Sequence, residues 1–232
     1  MTATVIITAH PLETHVYNEA MHFCEGLVSA NESIGLIFFM HEANSMAVDK
    51  KGREWSKFSE DHGVELQTCS STAENLDIPL GQYLPNFQQA GLSALADSLM
   101  KSNRVVQFPV IDEYSDKLLH GDDKVCAQER FTFIFRTAPV ETSLAIEGLD
   151  LLFVLSAFDA ELTVVFIEGG IENIFHRENH PRYVRRFKAL SDFGIETRYV
   201  LGEVSTMQTV PVEQISQQQL DNLLLTSCVL VF

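Results

Sequence analysis

Apolar residues occur along this chain in short continuous runs, and the segments between the runs carry helical spacing. Thr4 to Ala9 is a run of this kind, and the next is Ile34 to Met40. Between them, apolar residues recur three and four positions apart, which predicts a helix with one buried face. A third predicted strand ends at Cys69. A helical pattern from about Phe87 to Met100 then precedes the strand Arg104 to Phe108.

Continuous apolar runs are typical of strands that are covered on both faces, and intervening helices imply parallel pairing. The sequence therefore predicts an α/β fold, with each half a mostly parallel sheet that has helices on both faces. In such sheets, ligands and reactive groups collect beyond the carboxyl ends of the strands. Three residues with useful chemistry follow predicted strands there, namely His10, His41 and Cys69.

The second half of the chain repeats the first. Residues 3–40 and 131–168 share eight identical positions at an offset of 128, and later apolar runs recur in the same order. Since about a hundred residues can bury a core, we predict two related domains, 1–108 and 131–232. Residues 109–130 are the predicted linker, because nine of these 22 residues are charged. Val200 takes the place of Cys69 in the second domain.

The composition limits the classes of partner. With 32 acidic and 16 basic residues, the formal charge is −16, which disfavours direct binding to nucleic acid phosphates. We also find no leader-like segment and no apolar run long enough to cross a bilayer, so we expect a cytoplasmic protein without a membrane partner. The four cysteines lack close paired spacing, which argues against a disulfide framework and a structural metal site.

Cys69 is the candidate nucleophile. Ser70 to Thr72 can begin a helix, and a thiolate at a helix amino end is stabilised by unpaired N–H groups. The alternative is that Cys69 is a small buried hydrophobic residue, which is the interpretation we give to Cys24 and Cys228. Cys126 lies in the predicted linker and has no assigned role.

The residues around Cys69 carry a resemblance to a known family. The Phe38-Phe39 strand, the segment His62 to Cys69, a helix pattern from Phe87 to Ala96 and the strand Arg104 to Phe108 resemble TusD (DsrE-type) subunits of the sulfur relay. The second half resembles TusC (DsrF-type) subunits. That resemblance rests on Phe131 to Pro139, Glu147 to Asp150, Leu162 to Gly170 and the closing strand.

The resemblance implies a sulfurtransferase that carries sulfur as a persulfide on Cys69. It implies a TusA-like donor, a TusE/DsrC-like acceptor and 2-thiouridine in tRNA as the destination, with sulfur oxidation as the alternative. TusC and TusD types assemble with TusB/DsrH-like subunits, so an oligomer is expected. The chemistry needs no metal or organic cofactor. The TusC-like half, without the cysteine, is expected to serve assembly.

Other sequence features have more than one interpretation. His10 and His41 have three interpretations. They are solvated loop residues, they tune the ionisation of the Cys69 thiol, or they hold a metal together with Glu42. A basic cluster is either a solvated helix face or a docking surface for an acidic partner. A segment apolar on every side is expected to lie in a contact between domains or chains. The cluster comprises Arg177, Arg182, Arg185, Arg186 and Lys188, and the apolar segment is Leu149 to Leu155.

Two further function classes remain open. The chain is a non-catalytic scaffold of a sulfur-relay complex if Cys69 is inert. A nucleotide-binding or small-molecule-binding α/β protein is disfavoured, because residues 8–14 and 136–142 contain no glycine for a phosphate loop.

Overall fold

The structure is a computed structural model that describes residues 2–79, 81–109, 129–138, 143–174, 181–203 and 210–232. Contacts divide the chain into two compact units, residues 1–128 and 129–232. Most of the predicted linker lies outside the described residues. Within the described ranges, no helix combines the length and apolar character that a membrane span requires.

The first unit alternates strands and helices in the predicted order with one exception. The segment Phe87–Ala90, predicted to begin a helix, is a strand, and the helix begins at Leu92. After β2, a 3₁₀ helix, His41–Ala47, precedes the second α-helix. The elements are β1 (Thr2–Ile7), α1 (Thr14–Ser29), β2 (Ser33–Phe39), α2 (Gly52–His62), β3 (Glu65–Cys69), α3 (Ser70–Asn75), β4 (Phe87–Ala90), α4 (Leu92–Lys101) and β5 (Arg104–Phe108).

The five strands of this unit form one parallel sheet in the order β4-β3-β2-β1-β5. Each step from β1 to β4 adds a neighbouring strand on the same side, and the crossover through α4 then returns to the other side of β1. Right-handed crossovers place helices on both faces under this order. Both faces of β1 are therefore covered, and Val5, Ile6 and Ile7 are fully buried.

The second unit has the elements β6 (Arg130–Phe135), α5 (Leu144–Ser156), β7 (Glu161–Ile167), α6 (Pro181–Lys188), β8 (Thr197–Leu201), β9 (Glu213–Gln214), α7 (Gln217–Thr226) and β10 (Cys228–Val231). Its 3₁₀ helices are Glu168–Ile174, after β7, and Ala189–Phe193, before β8. The strands form a parallel sheet in the order β10-β6-β7-β8-β9.

The two sheets have the same topology. Read from the other edge, the second order becomes β9-β8-β7-β6-β10, which matches β4-β3-β2-β1-β5 element by element. The predicted fold class, an α/β repeat with two parallel sheets, is confirmed. A hydroxyl pair repeats as well. The buried Thr4 hydroxyl lies 2.6 Å from that of Ser102, shortly before β5, and the buried Thr132 hydroxyl lies 2.6 Å from that of Ser227, directly before β10.

Helix α5 is buried mainly by its own unit. Leu149, Leu151, Leu152 and Leu155 are fully buried, whereas Phe153 is only partly buried and stacks on Phe193 at 4.3 Å between ring centroids. The fold of one unit therefore accounts for most of the apolar character of this segment. Whether another chain covers the rest stays a prediction.

Part of the basic cluster is also used within the unit. Arg186 on α6 forms an ion pair with Asp150 on α5, which ties the two helices together. Burial raises the pKa of the Asp150 carboxyl, against the opposing effect of Arg186. Arg185 and Lys188 are exposed, while Arg177 and the side chain of Arg182 lie outside the described part of the chain.

Candidate active site at the end of the third strand

Cys69 is the last residue of β3, at the carboxyl edge of the first sheet, and α3 starts at the next residue. Its backbone is extended, with φ −66° and ψ 120°, so the chain changes from strand to helix at this residue. β2 and β3 pair in parallel up to Phe39 and Thr68. The carboxyl ends of adjacent strands thus bring the segment after β2 beside Cys69, as the sequence pattern predicts.

The Cys69 side chain is buried, with the residue only 1% exposed. The burial agrees with the alternative interpretation of Cys69 as a small buried residue, and it means that a nucleophilic thiol here is not directly accessible in this conformation. The reason is tertiary: β3 lies inside the sheet between β2 and β4, and α3 folds back directly after it. A partner's sulfur can reach Cys69 only after local movement of the residues that cover it.

Asn44, in the 3₁₀ helix His41–Ala47, holds the backbone of Cys69 at two points. The Cys69 N–H donates to Asn44 Oδ1 at 2.9 Å, and Asn44 Nδ2 donates to the Cys69 carbonyl at 3.3 Å. Asn44 itself is fully buried. The sequence does not point to Asn44, because nothing in a loop sequence shows that an amide will reach the next strand.

The two histidines lie at the same edge of the sheet. The His10 ring accepts a hydrogen bond from the Leu12 N–H at 3.1 Å through Nδ1, and His10 N–H donates to Glu13 at 3.0 Å. His41 begins the 3₁₀ helix with a left-handed φ of 56°. Among the described residues, no three His, Cys, Asp or Glu side chains group as metal ligands.

A cleft of about 440 Å³ lies on the α1 and α2 side of the first sheet. Tyr17, Met46, Lys51 and Trp55 contribute to its lining, and Cys69 does not. Lys51 Nζ donates to the Pro11 carbonyl at 2.8 Å, which closes one side of the cleft. The cleft therefore does not provide a route to the thiol.

The other cysteines differ from Cys69. Cys24 is a free, fully buried residue of α1, as expected for a small hydrophobic residue. Cys228 is disulfide-bonded, so the prediction that it is an unpaired core cysteine is wrong. Pairing depends on which cysteines the fold brings together, so sequence spacing carries no signal for it. Cys126 lies outside the described residues.

Cys24 should resist alkylation in the native protein. Burial, with a smaller contribution from Glu25, raises the pKa of its thiol from 9 to about 12. At pH 8 we expect iodoacetamide to modify Cys24 only after unfolding, as followed by peptide mass mapping. Because the unfolded thiol ionises first, this group should also lower the stability of the fold as the pH rises from 9 to 12. Rapid native labelling of Cys24 at pH 8 would contradict the buried assignment.

The second unit has no thiol at the corresponding point. His41 and Glu168, with φ 56° and 50°, begin matching 3₁₀ helices, so Phe39 corresponds to Phe166. Phe39 pairs with Thr68, and Phe166 pairs with Val200. Val200 therefore corresponds to Thr68, and Leu201 takes the place of Cys69. The prediction of Val200 at this place is wrong by one position, because the second unit has one more residue between its left-handed glycine and the end of the strand.

Within the described part of the chain, the second unit also shows no counterpart of the two hydrogen bonds between Asn44 and the end of this strand. Its 3₁₀ helix has a buried asparagine, Asn173, whose Nδ2 donates to the carbonyls of Thr137 and Gly170, each at 2.9 Å. These contacts join the 3₁₀ helix to itself and to the segment after β6. Among the described residues, the asparagine contact to the third strand is thus specific to the first unit.

Comparison with known proteins gives a family match and several similar proteins. The second unit matches the DsrE/DsrF-like family. The family model covers residues 129–204. The chain is also 27% identical to proteins named sulfurtransferase TusD from Salmonella dublin, Salmonella enteritidis and Salmonella typhi, over 128 residues. These matches span 47% of this chain and the full length of each relative. The matched share of this chain is thus about that of one unit.

Proposed function

We propose that this protein is a sulfurtransferase that carries sulfur as a persulfide on Cys69. The observation that carries the proposal is the similarity to TusD sulfurtransferases over their whole length. The position of Cys69 supports it, since reactive groups of parallel α/β sheets collect at the carboxyl ends of the strands. The second unit, with Leu201 in place of the cysteine, serves assembly.

The transfer needs only sulfur chemistry. The Cys69 thiolate attacks the outer sulfur of a donor persulfide, a new S–S bond forms, and the donor leaves as a thiolate. In the second step, an acceptor thiolate attacks the outer sulfur on Cys69, and the Cys69 thiolate leaves. Each step exchanges one S–S bond for another, so no external oxidant or reductant is consumed. Cys69 is a free cysteine, as the first step requires.

Burial of Cys69 means that transfer requires a local opening. Helix α3 is the element that follows Cys69, and it has six residues and no side-chain cap at its start. Helices of this length are marginal on their own, so this segment can open at low cost relative to the central strands. We propose that a docked partner stabilises the open state.

We further propose protein partners of the TusA-like donor and TusE/DsrC-like acceptor type, a TusB/DsrH-like subunit in an oligomer, and tRNA 2-thiouridine as the destination of the sulfur. The proposal gives the protein no direct contact with nucleic acid. We propose the cytoplasm as the compartment. The free thiol of Cys69 fits it, whereas the disulfide at Cys228 is of a kind that is rare in a reducing compartment.

We propose that a partner docks on exposed apolar side chains near Cys69. Leu12, Val48 and Leu76 are 78%, 41% and 42% exposed, and they lie in the connections that follow β1, β2 and β3 or the short elements after them. All three thus lie at the edge of the sheet that carries Cys69. Glu13 and Asp77 accompany them, so a basic partner surface with an apolar centre fits this edge.

Replacing Leu12 with serine should slow sulfur transfer from a protein donor at least fivefold, because an exposed apolar contact is lost. Transfer from inorganic polysulfide should be unchanged, since it needs no docking. The matched control is Leu225→Ser, which removes a leucine that is 48% exposed in the second unit. Equal rates of sulfur transfer from the protein donor to the Leu12 and Leu225 variants would show that Leu12 is not part of the docking surface.

The experiment that tests the proposed function is intact mass spectrometry after incubation with a persulfide donor. We expect a gain of one sulfur atom that a reductant removes. A second candidate function, a non-catalytic scaffold of a sulfur-relay complex, is favoured by one observation, the burial of Cys69. Absence of any sulfur gain, with both small and protein donors, would favour the scaffold.

A further inference from the structure

The contact between Asn44 and Cys69 has an unusual place in the sheet. In a parallel ladder, the N–H and C=O of one residue bond to the same neighbouring strand. The ladder between β2 and β3 ends at Phe39 and Thr68, so β2 offers no backbone partner to Cys69. The Asn44 side-chain amide supplies both an acceptor and a donor at that point, at 2.9 Å and 3.3 Å. It extends the ladder by one residue.

This arrangement ties the exposure of Cys69 to the Asn44 side chain on the β2 side of the strand, while Cys69 lies opposite Ala90 of β4 on the other side. A buried backbone N–H is costly to leave unpaired, so the Cys69 N–H stays in the sheet while Asn44 Oδ1 accepts from it. When the Asn44 contacts break, water can satisfy the same groups only if the Cys69 segment moves outwards. Opening of the thiol and loss of the Asn44 contacts are therefore the same event.

We infer that Asn44 is a positioning residue that controls access to the Cys69 thiol. In the closed state its amide holds the end of β3 in the sheet and keeps Cys69 buried. A sulfur donor or acceptor must displace this amide before its own sulfur can reach Cys69. The inference rests on the proposed function for its biological meaning, but the effect on access can be measured by itself.

Asn44→Ala should increase the rate at which a small thiol reagent labels Cys69 in the native protein. The substitution leaves the Cys69 N–H unpaired in the closed state and removes one hydrogen bond from the Cys69 carbonyl, which as the N-cap of α3 also accepts the first bond of that helix. The loss of both contacts favours the open state. With reclosing faster than labelling, the rate follows the population of the open state. We expect at least a tenfold increase with iodoacetamide, measured at Cys69 by peptide mass mapping. A rate equal to or below that of the wild type would overturn the inference.

The matched control is Asn173→Ala in the second unit. Asn173 is also a buried asparagine of a 3₁₀ helix after the second strand of its sheet, and its amide makes two hydrogen bonds to backbone carbonyls. Its removal should lower stability without changing the labelling of Cys69. An equal acceleration in both variants would show a global loss of stability, and would also overturn the inference.

A measurement on the wild type covers the case in which Asn44→Ala does not fold. If the Asn44 contacts control access, the Cys69 amide and the Cys69 thiol are exposed by one opening. The protection of the Cys69 amide against hydrogen exchange should then match the slowing of thiol labelling, relative to an unfolded peptide, within about threefold. An amide that exchanges far more readily than the thiol labels would overturn the inference.

Loading with inorganic polysulfide separates this inference from the proposed function. If both hold, Asn44→Ala gains sulfur on Cys69 faster than the wild type, in the same proportion as it is labelled. If labelling accelerates and neither protein gains sulfur, Asn44 controls access to a thiol that does not carry sulfur. If the variant and the wild type gain sulfur at equal rates, and the thiol reagent labels Cys69 in both at equal rates, the proposed sulfur-carrier function is supported and the proposed role of Asn44 is wrong.

Discussion

Cys69→Ser should abolish sulfur loading, reducing the persulfide gained from a donor at least a hundredfold. A serine hydroxyl cannot replace the thiol, because the carried atom is held by an S–S bond that needs sulfur on both sides. Intact mass spectrometry under non-reducing conditions measures the gain directly. The two side chains are close in size, so the first unit should remain folded, as circular dichroism would show.

Cys24→Ala is the control for this variant. Cys24 is the other cysteine that the structure describes as free, and it is fully buried in α1. Alanine keeps its small apolar character, so loading should match that of the wild type. A sulfur gain that persists in Cys69→Ser and disappears in Cys24→Ala would move the chemistry to α1 and refute the assignment of Cys69.

Gly148→Ala should destabilise the second unit by up to about 2 kcal/mol. A Cβ at this position of α5 would lie 2.3 Å from Cγ of Phe232 and 2.6 and 2.7 Å from its two Cδ atoms. Phe232 cannot easily move away, since it is 1% exposed and stacks on Phe133 at 5.5 Å between ring centroids. Overpacking costs about 1–3 kcal/mol, which outweighs the gain of about 1 kcal/mol from replacing a helical glycine.

Gly26→Ala in α1 is the matched control. A Cβ there meets no atom within 4 Å, so only the helix propensity changes, and the first unit should gain about 0.5–1 kcal/mol. Hydrogen exchange followed by mass spectrometry can assign each effect to one unit, since the glycines lie in different units. Equal and small effects at both positions would contradict the packing of Gly148 against Phe232.

Much of the fold was available from the sequence because hydrophobic burial leaves a periodic pattern. The runs Thr4 to Ala9 and Ile34 to Met40 lie on β1 and β2, and the recurrence of the pattern predicted the second sheet. Alignment of the halves by similarity was less accurate at the third strand, where a single inserted residue moved the counterpart of Cys69 from Val200 to Leu201. Only the strand register shows that shift.

The site was predictable in part. The sequence placed Cys69 at the end of a strand, and His10 and His41 at the same edge of the sheet. It left open whether Cys69 is buried, and it did not predict the disulfide at Cys228 or the two hydrogen bonds from Asn44. Each of these depends on atoms brought together from separate segments, and 25 residues separate Asn44 from Cys69.

The sequence by itself determined most of the order of strands and helices, the doubling of the sheet and the presence of a cysteine at one strand end and not at its counterpart. It did not determine the edge strand Phe87–Ala90, which carries the pattern of a helix. Periodic burial and residue identity are local properties, and both are written in the order of amino acids. The tertiary structure alone decided that this cysteine is closed off and that an asparagine from the neighbouring connection holds it there. Accessibility and hydrogen-bond partners depend on which distant segments meet, and a linear pattern does not record that.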